Sequence, residues 1–176
     1  MTNASPHTKV YRDYKGDVIP HSENDSFATR VGVFAICVCD GALLCALPAD
    51  REKYWELPGG GVEADEDFAT ALSREIYEET GVDIPLSIKD KDAFYSHVIH
   101  FFVDDRESGP RQYWDYEQHF FALDVSDLKP HVFADERPAP EGGFARWVSL
   151  DEARKTPWKY GHEQALIAAK VLDKDK

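Results

Sequence analysis

Three glutamates and a short run of glycines are the residues of this 176-residue chain best suited to do chemistry. They share the stretch Leu57 to Val82, LPGGGVEADEDFATALSREIYEETGV. Glycines at positions 59 to 61 let the backbone adopt left-handed conformations and approach a ligand closely. Asp65 to Asp67 follow at a helix start, where the helix dipole favours acids. Winding the helix at about 100° per residue from Glu75 puts Glu79 at about 40° and Glu78 at about 300°, with Leu72 at about 60° and Ile76 at about 100°. The three carboxylates therefore border the apolar stripe, and Thr70, Ser73, Arg74 and Tyr77 take the outward side. A solvated charged face would lie opposite the stripe instead. Acids crowded at a core edge repel one another and lose water. Arg74 can pair with Glu78 at i+4, but one guanidinium cannot neutralise three acids. A hard divalent cation, Mg²⁺ or Mn²⁺, can. Helix geometry alone leaves two readings open: a metal cluster for phosphate chemistry, and a surface helix laced with ion pairs.

The elements that must position this stretch read as follows. Val31–Val38 is β-branched and apolar and predicts a buried strand, Asp40-Gly41 a hairpin turn, and Ala42–Leu47 the returning strand. Residues 48 to 53 read as a loop, followed by a short strand at Tyr54–Leu57. Gly81 sits where a helix stops. Ala93–Val103 and Tyr113–Val125 predict an antiparallel pair around a Gly109-Pro110 turn. Residues 126 to 143, rich in proline and glycine, read as an irregular loop, and Phe144–Val148 as a further strand. Ser149 with Glu152 three residues on is a helix-capping pattern, and His162 to about Leu172 has helical spacing. The first thirty residues show no clear period beyond a small hairpin around Tyr14-Lys15-Gly16-Asp17. We expect residues 1–30 to form an extension that packs on the domain or on a partner subunit, and residues 31–176 to form one domain.

Composition excludes several classes. The net charge of −13 disfavours binding a nucleic acid polymer, which rests on Lys and Arg displacing counterions. No apolar run is long enough to span a bilayer, and the polar N-terminus lacks the apolar core of a secretory signal. A cytoplasmic location is the expectation. Cys37, Cys39 and Cys45 lie in one apolar stretch; an odd count without a second C-x-C pair argues for buried strand thiols, against both a disulfide framework and a zinc site.

Gly60, five residues, Glu66, seven residues, then Arg74-Glu75-Ile76-Tyr77-Glu78-Glu79-Thr80-Gly81-Val82 resembles the Nudix box of the MutT-like hydrolases, G-x5-E-x7-R-E-U-x-E-E-x-G-U with U aliphatic. Every fixed position is present, and Pro58-Gly59 ahead of it is also usual in that family. Asp65 departs from it, standing where many members have glycine. The resemblance implies an α/β/α sandwich around a mixed, partly antiparallel β-sheet, and hydrolysis of a nucleoside diphosphate linked to another moiety. It implies metal ligation by Glu75, Glu78 and Glu79, with the Gly59 carbonyl as a further ligand. Arg74 and Glu66 match positions that orient the loop and helix. A further acid of the family often precedes a Trp-containing strand; Glu141 is similar to it, with Glu136 and Glu117 as rivals. Each of these has an exposed loop acid as its plain alternative.

The expected reaction is Mg²⁺- or Mn²⁺-dependent attack of water on a pyrophosphate. Glu141 or a box glutamate takes the proton. Arg51 and Lys53 are candidates for the phosphates, and Tyr95, His97, Trp114, Tyr116 and His119 for a base pocket, each against a bland reading as loop charge or core aromatic. His97, His100 and His119 make no convincing metal triad. The family's subgroup patterns for coenzyme A, ADP-ribose and dinucleoside polyphosphates are missing, which leaves a nucleotide such as a (d)NTP as the default substrate. Competing readings are a non-catalytic nucleotide sensor, a hydrolase of ADP-ribose, sugar nucleotides or dinucleotides, and an RNA-end pyrophosphatase. A homodimer is compatible with the resemblance.

Overall fold

The computed structural model describes residues 9–22, 24–47, 54–84, 92–103, 112–125 and 137–173. The loop expected at 48 to 53 and the Gly109-Pro110 turn lie outside them, as do Arg51, Lys53 and Glu136.

The centre of the molecule is β1, Ser26–Cys39. It begins five residues ahead of the apolar run that predicts it, within the expected extension. That exposed leading part has no hydrophobic signature; it is strand because it pairs in parallel with β5, Gln112–Leu123, from Ser26 opposite Gln112 onward. The Asp40-Gly41 turn, with φ of 47° and 74°, returns the chain into β2, Ala42–Leu47. β3 is Gly59–Gly61, a three-residue strand antiparallel to β1 that was expected to be loop. Helix α1 covers Phe68–Thr80, β4 Tyr95–Val103, β6 Arg137–Pro138 and β7 Phe144–Ser149. Two short helices close the chain, α2 at Leu150–Ala153 and α3 at His162–Ala168. The sheet runs β4-β5-β1-β2-β7-β6, with β3 also on β1. It is mixed, since β1 and β5 are parallel while the other strand pairs are antiparallel.

Each face of the sheet buries a helix layer, which makes an α/β/α sandwich. On one face α1 sets Ala71, Leu72 and Ile76 against Val33, Ala35 and Phe121, all essentially inaccessible. Each large aliphatic side chain buried this way contributes about 1.5–3 kcal/mol. On the other face Ala165 and Leu166 of α3 pack on Phe34, Tyr116 and Phe120. The helix ends follow local chemistry. The Asp67 carboxylate accepts the Thr70 amide at 2.8 Å, Gly81 terminates α1 at φ 67°, and Ser149 Oγ accepts the Glu152 amide at 3.1 Å. Cys37, Cys39 and Cys45 are buried thiols outside any disulfide, and burial pushes the Cys37 thiol up to about 12, so it is not a thiolate at neutral pH. Among the described residues no helix is long and apolar enough to cross a membrane.

The N-terminal segment folds onto this same chain. Arg12 bridges Val18 in a hairpin and Phe101 of β4, and Tyr11 is buried with its hydroxyl donating to Asp115 at 3.0 Å.

Candidate active site

A cleft of about 800 Å³ opens where β3 and α1 meet the edge of the central sheet. The glycine strand sits closely under it. Gly59 has φ 143°, and a Cβ there would fall 2.1 Å from the Val33 carbonyl oxygen, so only glycine lets β3 lie against β1. A Cβ on Gly60 would strike the Glu75 carboxylate at 2.4 Å. The box spacing thus has a direct reading: bare backbone is needed where the helix glutamates reach down to the strand.

Arg74 is the hub. Its Nε and one terminal nitrogen grip Glu66 in a fork, both at 2.8 Å. It also donates to the Gly61 carbonyl at 3.0 Å and to Glu75 and Glu78 at 2.9 Å each. All its donors are engaged. The fork holds the Glu66 carboxyl down at about 2 and raises the guanidinium further. Helical winding placed Arg74 on the outward side; its long side chain instead folds back over the loop, and only Tyr77 and Thr70 stay out in solvent. Asp65, the departure from the family pattern, takes a left-handed φ of 71°, a conformation that glycine adopts freely and aspartate tolerates.

Glu75, Glu78 and Glu79 all line the cleft, and so does Glu141. The Glu141 amide donates to the Glu78 carbonyl at 3.1 Å, which ties the late loop to α1. Glu79 accepts the Gly59 amide at 2.9 Å. Burial, reinforced by the nearby Glu56 charge, pushes its carboxyl up to about 8, and burial likewise raises Glu75. Among the described residues no three acidic or imidazole side chains converge as a ready metal cage. Glu75 and Glu78 are turned toward Arg74 and Glu79 toward Gly59. The donor set nonetheless fits a hard divalent cation. Glu75, Glu78, Glu79 and Glu141 share one cleft, burial raises the pKa of Glu75 and Glu79, and the donors of Arg74 beside them are already engaged.

The remaining sequence candidates separate. Tyr95 and His119 do not line the cleft. Tyr95 faces the same side as the cleft but packs on Phe120, at the far end of β4. His119 lies on the opposite face, against Phe68, with hydrogen bonds to Ser96 and Glu117. His97 is turned to Gln118 at 2.7 Å and His100 to Asp115 at 2.8 Å. Glu117 is exposed beside His119, away from the site. Trp114 and Tyr116 do line the cleft.

Sequence reasoning missed four contributors: Arg30, Glu56, Lys159 and the N-terminal hairpin. Arg30 stacks over Trp114 at 4.7 Å and Tyr116 at 5.6 Å. Lys159 reaches Glu56 at 2.5 Å; burial opposes its charge, but Glu56, Tyr116 and Glu79 outweigh that and raise its pKa. Nothing in local spacing marks these residues. They arrive through strand pairing and through the connection before α3.

The family model of the NUDIX domain matches residues 27–169. The RNA pyrophosphohydrolase of Wolbachia pipientis subsp. Culex pipiens (strain wPip) is 28% identical over 145 residues, covering 78% of this chain and 85% of that protein. The RNA pyrophosphohydrolase of Bartonella clarridgeiae is 28% identical over 113 residues, and the match spans 58% of this chain and only 61% of that protein. The solution structure of the E. coli ORF135 protein is similar with a TM-score of 0.51 at 27% identity, covering 82% of this chain and 94% of that one.

Proposed function

The chain belongs to the NUDIX domain family, and from that premise we propose that it is a pyrophosphohydrolase, cleaving the pyrophosphate bond of a nucleoside diphosphate derivative. A (d)NTP-sized nucleotide is the substrate class that its cleft and charge favour. One observation carries the reading: Glu75, Glu78, Glu79 and Glu141 share one cleft with half-buried aromatic rings, Tyr14, Tyr54 and Trp114. The acids suit a phosphate chain bound with cations; the rings suit a base.

Glu75, Glu78 and Glu79, with the Gly59 carbonyl, would hold Mg²⁺ or Mn²⁺. The bound cation would offset phosphate charge and acidify a water. Arg74 and Glu66 keep the glycine strand and α1 in register. Lys159 holds Glu56 beside Glu79 and adds positive charge to an acidic cleft. Glu141, which lines the cleft with its amide bonded to the Glu78 carbonyl, would accept the proton of the attacking water. In the reaction a water oxygen bonds to phosphorus, the bridging P–O bond breaks, and the leaving phosphate departs with the bond's electrons.

The names of the relatives favour a second reading, RNA-end pyrophosphohydrolysis. The net charge of −13 weighs against a polymer partner. The deciding experiment is a turnover panel with Mg²⁺: nucleoside triphosphates, sugar nucleotides, ADP-ribose, dinucleoside polyphosphates and 5′-triphosphorylated RNA. We expect turnover of small nucleotides, falling by orders of magnitude in Glu79→Gln with the fold retained. Turnover unchanged in that variant overturns the site. No turnover of any substrate by a protein that still binds the metal favours a nucleotide sensor.

A further inference from the structure

The hairpin at Tyr11–Ile19 precedes the span that matches the family, which starts at residue 27. Yet it is built into the cleft. Arg12 donates its amide to the His100 carbonyl at 2.9 Å and its carbonyl accepts the Phe102 amide at 2.8 Å. The Tyr14 carbonyl accepts the Tyr160 amide at 2.9 Å. The turn is closed by the Gly16 amide on the Asp13 carbonyl at 3.0 Å, and its base by Tyr11, which is 2% exposed. Held from β4 on one side and from the segment before α3 on the other, Tyr14 lines the cleft, edge-on to Tyr54 at 5.7 Å between ring centres.

The same cleft is lined by Trp114, with the Arg30 guanidinium over its ring. Arg30 makes no ion pair among the described residues, in a cleft otherwise crowded with acids. It differs in this from Arg74, whose donors are all engaged. Each of these half-buried rings already has a cation over it, Arg30 on Trp114 and Lys15 on Tyr14 at 5.4 Å, and a cation on an aromatic face is suited to a ligand with a flat π system and an adjoining negative charge.

The geometry points to a nucleobase subsite built in part by the N-terminal hairpin: Tyr14 and Trp114 supply ring faces for the base, and Arg30 the cation for the phosphate next to it. This rests on the nucleotide-hydrolase reading and names how that site selects its substrate. Base stacking of this kind is worth about ten-fold or more in affinity.

The test is calorimetric binding of AMP, GMP, CMP and UMP against ribose 5-phosphate, each with Mg²⁺. The wild-type chain is expected to hold at least one of the nucleotides about ten-fold more tightly than ribose 5-phosphate. Tyr14→Leu and Trp114→Leu, which keep bulk without a ring, are expected to shrink that preference at least about five-fold, while Tyr14→Phe keeps it. Val18→Ser, on the same hairpin but 57% exposed, also keeps it. Arg30→Gln is expected to weaken nucleotide and ribose 5-phosphate alike. A wild-type chain without the preference, or a preference that survives Tyr14→Leu in a protein with an unchanged melting curve, overturns the subsite. Phosphate affinity unchanged in Arg30→Gln overturns the role of that residue. Turnover without base preference removes the subsite and leaves the hydrolase; base preference without turnover does the reverse.

Discussion

The amide of Gly59 donates to the carboxylate of Glu79 at 2.9 Å, so the glycine strand and the helix are joined through an acid that burial keeps reluctant to ionise. Neighbouring glycines should respond very differently to a methyl group. At Gly59 the added Cβ meets backbone, the Val33 carbonyl at 2.1 Å and Phe34 Cα at 2.6 Å, at a φ of 143°. Gly59→Ala should cost roughly 3 kcal/mol or more, which thermal melting would show as a fall of at least about 6 °C in a chain of this size. At Gly60 the three atoms nearest the Cβ all belong to the Glu75 carboxylate, the far end of a flexible side chain. Gly60→Ala should melt near wild type and lose activity. Equal melting temperatures for the two would refute this account of the strand.

Arg74 should not tolerate lysine. Lysine keeps the charge but cannot grip Glu66 through two parallel bonds while reaching the Gly61 carbonyl. Losing these charge-assisted bonds should cost about 2 kcal/mol, and chemical denaturation would measure it. A stability unchanged within about 0.5 kcal/mol would mean the fork contributes nothing net.

Glu141→Gln should separate chemistry from binding. The backbone bond to Glu78 survives the substitution, so the loop stays in place while the proposed proton acceptor is lost. We expect kcat to fall about 10²- to 10⁴-fold with KM little changed. Steady-state kinetics with normal kcat would move the base to a box glutamate.

Acid should weaken the fold through His162. Its Nδ1 accepts the Leu57 amide at 3.0 Å, and burial, with the Lys159 charge, drives its pKa well below the usual 6.5. The folded chain therefore holds it neutral while the unfolded chain protonates it. Stability from this group is fully present above about pH 6.5 and declines as pH falls below that, by at most about 1.4 kcal/mol per pH unit. His97, also lowered by burial, acts in the same sense. Urea midpoints between pH 7 and 5 would show the slope, which His162→Gln should reduce. A slope identical in that variant would assign it elsewhere.

How much of this was legible in the sequence follows from the range of the interactions involved. The box, the Gly81 stop and the Ser149 cap are short-range patterns, and Arg74, Glu75, Glu78 and Glu79 stand together because a helix fixes their spacing. The opposite wall is made by long-range pairing. Arg30 meets Tyr116 only because β1 and β5 run parallel in that register, and Lys159 arrives from a connection with no motif of its own. Strand parity accounts for His119: Trp114 and Tyr116 face the cleft, so a residue at an odd position of β5 faces α1. Tyr95 has the correct face, but six residues separate it from Phe101 along β4, about 20 Å of strand.

Strand β1 has a mechanical consequence. Arg30 and Phe34 lie four residues apart on it, and Phe34 is where Gly59 docks. That is about 13 Å of extended backbone, paired with β5 along its length and with β3 from Gly32 to Phe34, and unable to stretch without breaking the sheet. The two ends of the cleft are thus held like the jaws of a locked caliper. Any opening and closing of the cleft would have to come from the parts hung beside it, the segment carrying Glu141 and the tip of the N-terminal hairpin beyond its buried base at Tyr11.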